Sequence, residues 1–215
     1  MIVRNAEVNL VARSTNPYIA DMYQSPGALS VDHIWLSWEP IRLHACSGEN
    51  ARWNVTNMVK GDLATGIWQP FTVEEREYCA VASSFVGAEH PLPSDAPIEM
   101  RGRGLFIEGR LANGAPFVLA SELFPMIRLQ SGTAIPFHTD PVRLLVSFDL
   151  AVAFNGLDLS TAVPDSEGVI RLENQYNWEL LGEFEERMPL AFSLHIDVDG
   201  DFRIGPYDQP ISQAQ

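Results

Sequence analysis

The stretch "VDHIWLSWEPIRLHACSG", residues 31–48, places two tryptophans, two histidines and a cysteine in a run that alternates like a β-strand. Successive strand residues point to opposite faces of a sheet, so Ile34, Leu36 and Trp38 share one face while His33 and Trp35 share the other. After Glu39 and Pro40 the apolar set moves to odd positions, Ile41 and Leu43. Proline cannot donate to a β-ladder, so this change of parity reads as a bulge or a corner at a sheet edge. The stretch therefore reads first as a wall of the core, and the fold class it sets is mostly β.

The rest of the chain extends that reading. Residues 2 to 12 form a first β segment, and residues 76 to 86, "REYCAVASSFV", form another. In "GLFIEGRLANGAPFVLAS" the pair Asn113-Gly114 lies between two β-like runs, and Asn-Gly supplies the positive φ values that a tight two-residue hairpin turn requires. Further strands fall near residues 123 to 129 and 142 to 149. One amphipathic helix is predicted over about residues 171–187, where Trp178, Leu181 and Phe184 form a stripe beside acidic positions. A short helical turn in "FDLAVAFNGLDL" stops near Asn155-Gly156. In "LAFSLHIDVDGDFRIG", Phe192, Leu194, Ile196 and Val198 alternate up to a turn at Asp199-Gly200, and Phe202 and Ile204 resume the pattern. About eight strands with a late helix predict an antiparallel β-sandwich, with a partly open barrel as the alternative. The chain reads as one domain over residues 1–215, with an irregular tail from about residue 206.

Composition narrows the classes of function. The chain has 215 residues, 46% of them hydrophobic, and its 28 acids against 14 bases give a formal charge of -14. Such a mean field repels phosphate backbones and anionic membrane surfaces, and Arg101, Arg103 and Arg110 are scattered rather than clustered, so nucleic acid is excluded as a partner. No apolar run reaches the ~18 residues of a transmembrane segment. The opening "MIVRNAEVNLVARS" lacks the regions of a secretory signal, which leaves a cytoplasmic protein or a chain that begins after a removed signal. Two cysteines, Cys46 and Cys79, lie in predicted strands. They read as a disulfide, which implies an oxidising compartment, or as two buried thiols. The single lysine and the Trp, Asn and Pro usage suit a periplasmic or extracellular protein.

Candidate chemistry is sparse. His33 and Trp35, with His44 on the following segment, offer a set for copper or zinc, although no His-x-His, Cys-x-x-Cys or His-Glu-x-x-His motif occurs. Asp197, Asp199 and Asp201 alternate around Gly200 as calcium ligands do, with Asp208 at position twelve of the run; Asp-Gly equally marks a hairpin turn. No Gly-x-Ser-x-Gly elbow and no phosphate-binding glycine loop is present, and a hydrolase would need carboxylates that meet only in space. Trp53, Trp68 and Tyr207 fall near loops, where exposed aromatics can stack on a sugar or a protein partner.

Together, "VDHIWLSWEPIRLHACSG", "EEREYCAVAS", "GLFIEGRLANGAPFVLAS" and "VRLLVSFDLAVAFNGLDL", followed by a helix and a final strand, resemble uncharacterised secreted or lipid-anchored bacterial β-sandwich proteins. The resemblance covers about residues 30 to 200 and rests on pattern. It implies an envelope location, a Cys46 to Cys79 bridge and no enzymatic role. The chain is also similar in outline to periplasmic copper proteins that carry a modified tryptophan beside histidine, which implies a role for His33, Trp35 and His44; it departs from them in having no Trp-x-His element. The functional expectation is a non-catalytic extracytoplasmic protein that binds a protein partner or small ligand, or joins an envelope assembly, with no obligatory cofactor. Copper binding and a carboxylate-based hydrolase are the alternatives.

Overall fold

The computed structural model describes residues 5–15, 29–47, 52–54, 59–88, 91–92, 94–123, 125–137 and 141–213. In chain order the strands are β1 (Asn5–Thr15), β2 (Leu29–Trp38), β3 (Arg42–Ala45), β4 (Arg52–Asn54), β5 (Val59–Asp62), β6 (Ile67–Glu74), β7 (Arg76–Ser84), β8 (Leu105–Leu111), β9 (Pro116–Ser121), β10 (Met126–Phe137) and β11 (Val142–Asp149). They are followed by helix α1 (Leu150–Ala153), β12 (Ile170–Leu172), helix α2 (Trp178–Arg187), β13 (Phe192–Ile196) and β14 (Gln209–Gln213). Three sheets result, ordered β14-β13-β11-β1-β6, β10-β7-β3-β4 and β12-β9-β8-β2-β5.

The mostly β class is as the alternation requires. Ile34, Leu36 and Trp38 of β2 are at most 3% exposed and join one continuous core with Leu10 of β1, Leu43 of β3, Phe137 of β10, Phe148 of β11 and Phe192 of β13. Each such side chain contributes about 1.5–3 kcal/mol of burial. The parity switch at Glu39 and Pro40 is a corner between sheets. Glu39 N–H donates to Ser84 O at 2.8 Å, and beyond it the chain leaves the third sheet, places Ile41 in the core and enters β3 beside β7 in the second. On the outer face of β2, Trp35 packs in a smaller cluster with Ala88, Met100, Phe106 and Ala120.

Several expectations are corrected. The described residues form fourteen strands rather than about eight, and the sheets are mixed rather than antiparallel, because β1 pairs in parallel with β11 and β12 with β9. Parallel partners are distant in sequence and carry no turn between them to announce the pairing. The Asn113-Gly114 connection joins β8 to β9 as foreseen, but only Gly114 has positive φ (82°), and Asn113 Oδ1 accepts from Ala115 N–H at 2.9 Å. Gly114 N–H donates to Leu111 O at 2.8 Å, so the loop is longer than a two-residue turn.

The helix foreseen over residues 171–187 starts only at Trp178. Ile170 and Leu172 pair with β9, and Asn177 stands before the helix at φ 49°, its amide bonding Val163 and the Arg171 carbonyl of β12. Leu181 and Phe184 are buried as the stripe requires, whereas Trp178 is 64% exposed. The foreseen hairpin at Asp199-Gly200 does not form: β13 ends at Ile196, and residues 197–208 are a loop. The tail foreseen as irregular from residue 206 supplies β14, antiparallel to β13. Cys46 and Cys79 form a disulfide, Cα to Cα 4.9 Å, that ties the end of β3 to β7.

Candidate functional site: a cleft on the outer face of the first sheet

The sequence-derived candidates fare differently. His33 Nδ1 donates to Asp62 Oδ2 at 2.8 Å, while Asp62, 6% exposed, also accepts from the backbone N–H groups of Ile34 and Ala64 at 2.9 Å. That hydrogen bond outweighs partial burial and, with the charges of Asp62, Glu108 and Asp32, raises the His33 pKa above its ordinary 6.5. The Trp35 ring stacks beside it at 6.3 Å, yet is only 5% exposed. His44 lies in the second sheet, opposite Ala80 and Arg52. The structure thus joins His33 with Trp35 and a carboxylate, and places His44 on another sheet.

Among the described residues, one group of three potential metal ligands converges, Asp197, Asp199 and Asp208, with oxygens within 4.8 Å of one another. Asp201 is not part of it. The buried pair already serves the loop's own backbone: Asp197 accepts from Gly200 and Phe202 N–H at 2.6 and 3.3 Å, and Asp208 from Val198 and Gly205 N–H at 3.1 and 2.6 Å. Asp199 and Asp201 accept from Asp201 and Arg203 N–H in the same way. These carboxylates act as internal staples of the 197–208 loop. Trp68 and Tyr207 are 47% and 75% exposed, and the side chain of Trp53 lies outside the described residues.

What the stapled loop does is more informative. It folds over the outer face of the first sheet, where Phe202 (φ 55°) meets Trp68 edge-on at 4.4 Å and its carbonyl accepts from Arg13 Nη1 at 3.3 Å. Beneath it, strand alternation brings out a polar row. Arg13 stands opposite Ser147 and Thr15 opposite Asp149 across the parallel β1–β11 pair, and Ser147 stands opposite Ser193 on β13. Thr15 and Ser147 share a hydrogen bond at 3.1 Å; Ser193 Oγ and His195 Nε2 share one at 2.9 Å. Burial holds the His195 pKa below its ordinary value despite nearby Asp208, so the ring is neutral at pH 7.

Two cavities, about 490 and 310 Å³, lie between loop and sheet and meet at Thr15, Ser147 and Ile204. Arg13 and Arg203 line the first; Asp149, Ser193, His195 and Ser212 line the second. Among the described residues neither arginine makes an ion pair. The cleft is thus cationic at one end and carries hydroxyls and the Asp149 carboxylate toward the other. Sequence reading missed it because its residues come from four strands and two connecting segments spread along the chain, and only the alternation of β1, β11 and β13 hints that Arg13, Ser147 and Ser193 share a face.

No protein-family model and no curated protein matches the chain. Among solved structures, MbnP from Methylosinus trichosporium is similar with a TM-score of 0.49 at 11% identity, over 92% of this chain and 100% of that chain. A likeness of this degree carries no residue role across.

Proposed function

We propose that the protein is a non-catalytic extracytoplasmic binding protein whose small ligand enters the cleft between the first sheet and the 197–208 loop. The observation that carries the reading is the pairing of Arg13 and Arg203, both without ion-pair partners among the described residues, in one polar cleft of a chain whose net charge is -14. Ligand sites are concave, with a few polar groups that fix orientation, and this cleft has that form. The disulfide supports the extracytoplasmic part, since such bonds persist in oxidising compartments.

A second reading has one observation in its favour. Ser193 Oγ at 2.9 Å from His195 Nε2 is the spacing of a nucleophile and its base. A hydrolase of that kind also orients the far side of the imidazole. Among the described residues no hydrogen bond is made by His195 Nδ1, which favours a binding role for the pair.

The test is a ¹H–¹⁵N titration of the native chain with neutral sugars, sugar acids, amino acids and dicarboxylates. Saturable shifts at residues 13–15, 145–147 and 202–204 are expected from at least one probe. Saturable shifts confined to other surfaces would contradict the reading, and so would turnover of an ester or amide probe that is lost in Ser193→Ala.

A further inference from the structure

Resting on that binding role, we infer that the cleft takes a small hydroxylated carboxylate of the sugar-acid class. Three features of the lining select this chemistry. The first is charge. Among the described residues the Arg13 side chain hydrogen-bonds only to backbone carbonyls, Phe202 O at 3.3 Å and Thr65 O at 3.4 Å, through Nη atoms, and Arg203 reaches the same cavity from the loop. A guanidinium presents a planar fork of donors that matches a carboxylate. The acids nearest in sequence, Asp197, Asp199, Asp201 and Asp208, accept from the loop's own N–H groups and leave this end to the arginines.

The second feature is the hydroxyl row. Thr15, Ser147 and Ser193 follow one another across β1, β11 and β13 on the face that lines the two cavities. Hydroxyl side chains both donate and accept, as does neutral His195 across its two nitrogens, so they suit ligand hydroxyls better than a bare anion or an ammonium. The third is the apolar share. Phe202 and Ile204 line the arginine cavity and offer surface for the C–H faces of a ring. Carboxylate between the arginines, ring against these side chains and hydroxyls toward Ser193 and His195 is the resulting pose.

Isothermal titration with D-glucuronate, D-glucose and acetate tests the class. Glucuronate is expected to bind at least about tenfold more tightly than either control, because each control lacks one half of the recognition. Arg203→Gln should remove the advantage over glucose, and Ser193→Ala should weaken glucuronate without changing the rank. Both positions are partly or fully exposed, so the fold tolerates the changes, and circular dichroism checks it. Glucose binding as tightly as glucuronate would overturn the ligand class and leave the binding reading standing. Glucuronate binding unchanged in both variants would overturn the placement. Absence of binding by all three probes, while another compound shifts the cleft amides, would overturn the class alone; absence of any cleft ligand would overturn both.

Discussion

At the scale of single residues, His33 shows how one contact decides between two readings. Its position beside Trp35 raises the idea of a metal ligand, but Nδ1 is engaged by a carboxylate that is itself fixed by two backbone N–H groups. The pKa is raised, so the stabilising form is the protonated one. The contribution is fully present below the unfolded value of about 6.5 and is lost as pH rises through the higher folded value. His33→Ala should therefore lower the melting temperature at pH 5.5 and leave it nearly unchanged at pH 9, measured by calorimetry; an equal loss at both values would show that packing, not charge, matters. The side chain is 47% exposed, so the effect is modest. The sequence showed that His33 and Trp35 share a face. It could not show Asp62, which stands 29 residues away and meets β2 only because β5 pairs with it.

At the scale of elements, alternation was legible wherever one face is buried. Ile34, Leu36 and Trp38 point into the core as their spacing requires, and the corner at Glu39 and Pro40 was visible as a change of parity. Elements set by distant partners were not legible. Arg171 and Leu172 fall within the stretch expected as helix but belong to β12 and pair with β9, and the Asp-Gly at 199–200 has hairpin chemistry but lies inside a loop whose ends are held by Asp197 and Asp208. Within α2, Gly182 can be replaced without a clash, because a Cβ there meets nothing within 4 Å. Gly182→Ala should stabilise the protein by about 0.5–1 kcal/mol, because glycine loses more backbone freedom in a helix. Urea denaturation checks it through a higher midpoint at constant slope. A lower midpoint would mean that α2 packs against something at this position.

At the scale of the whole molecule, three sheets share one continuous core, and one crosslink ties β3 to β7 within the second sheet. The cysteines are 33 positions apart, and closing such a loop stabilises the fold by roughly 4 kcal/mol on the chain-entropy estimate. A Cys46→Ser, Cys79→Ser double variant should unfold at markedly lower denaturant in oxidising buffer, whereas reductant should have little further effect on it. A midpoint equal to that of the native chain would show that the core alone sustains the fold. The candidate site is also a property of the whole molecule. Its arginines, hydroxyls and wall come from β1, β11, β13 and the loop that follows, and the parallel β1–β11 pairing that aligns Arg13 with Ser147 has no local signature. Alternation alone could name which residues face outward; tertiary pairing decides which of them meet.

The most direct test of the account is a crystal structure of the native chain grown with D-glucuronate. The sugar acid is expected in the cleft under residues 202–204, its carboxylate within hydrogen-bond distance of Arg13 or Arg203 and its hydroxyls toward Ser147, Ser193 and His195. Glucuronate bound on another surface, or a cleft left without it while the ligand is present at saturating concentration, would contradict the account.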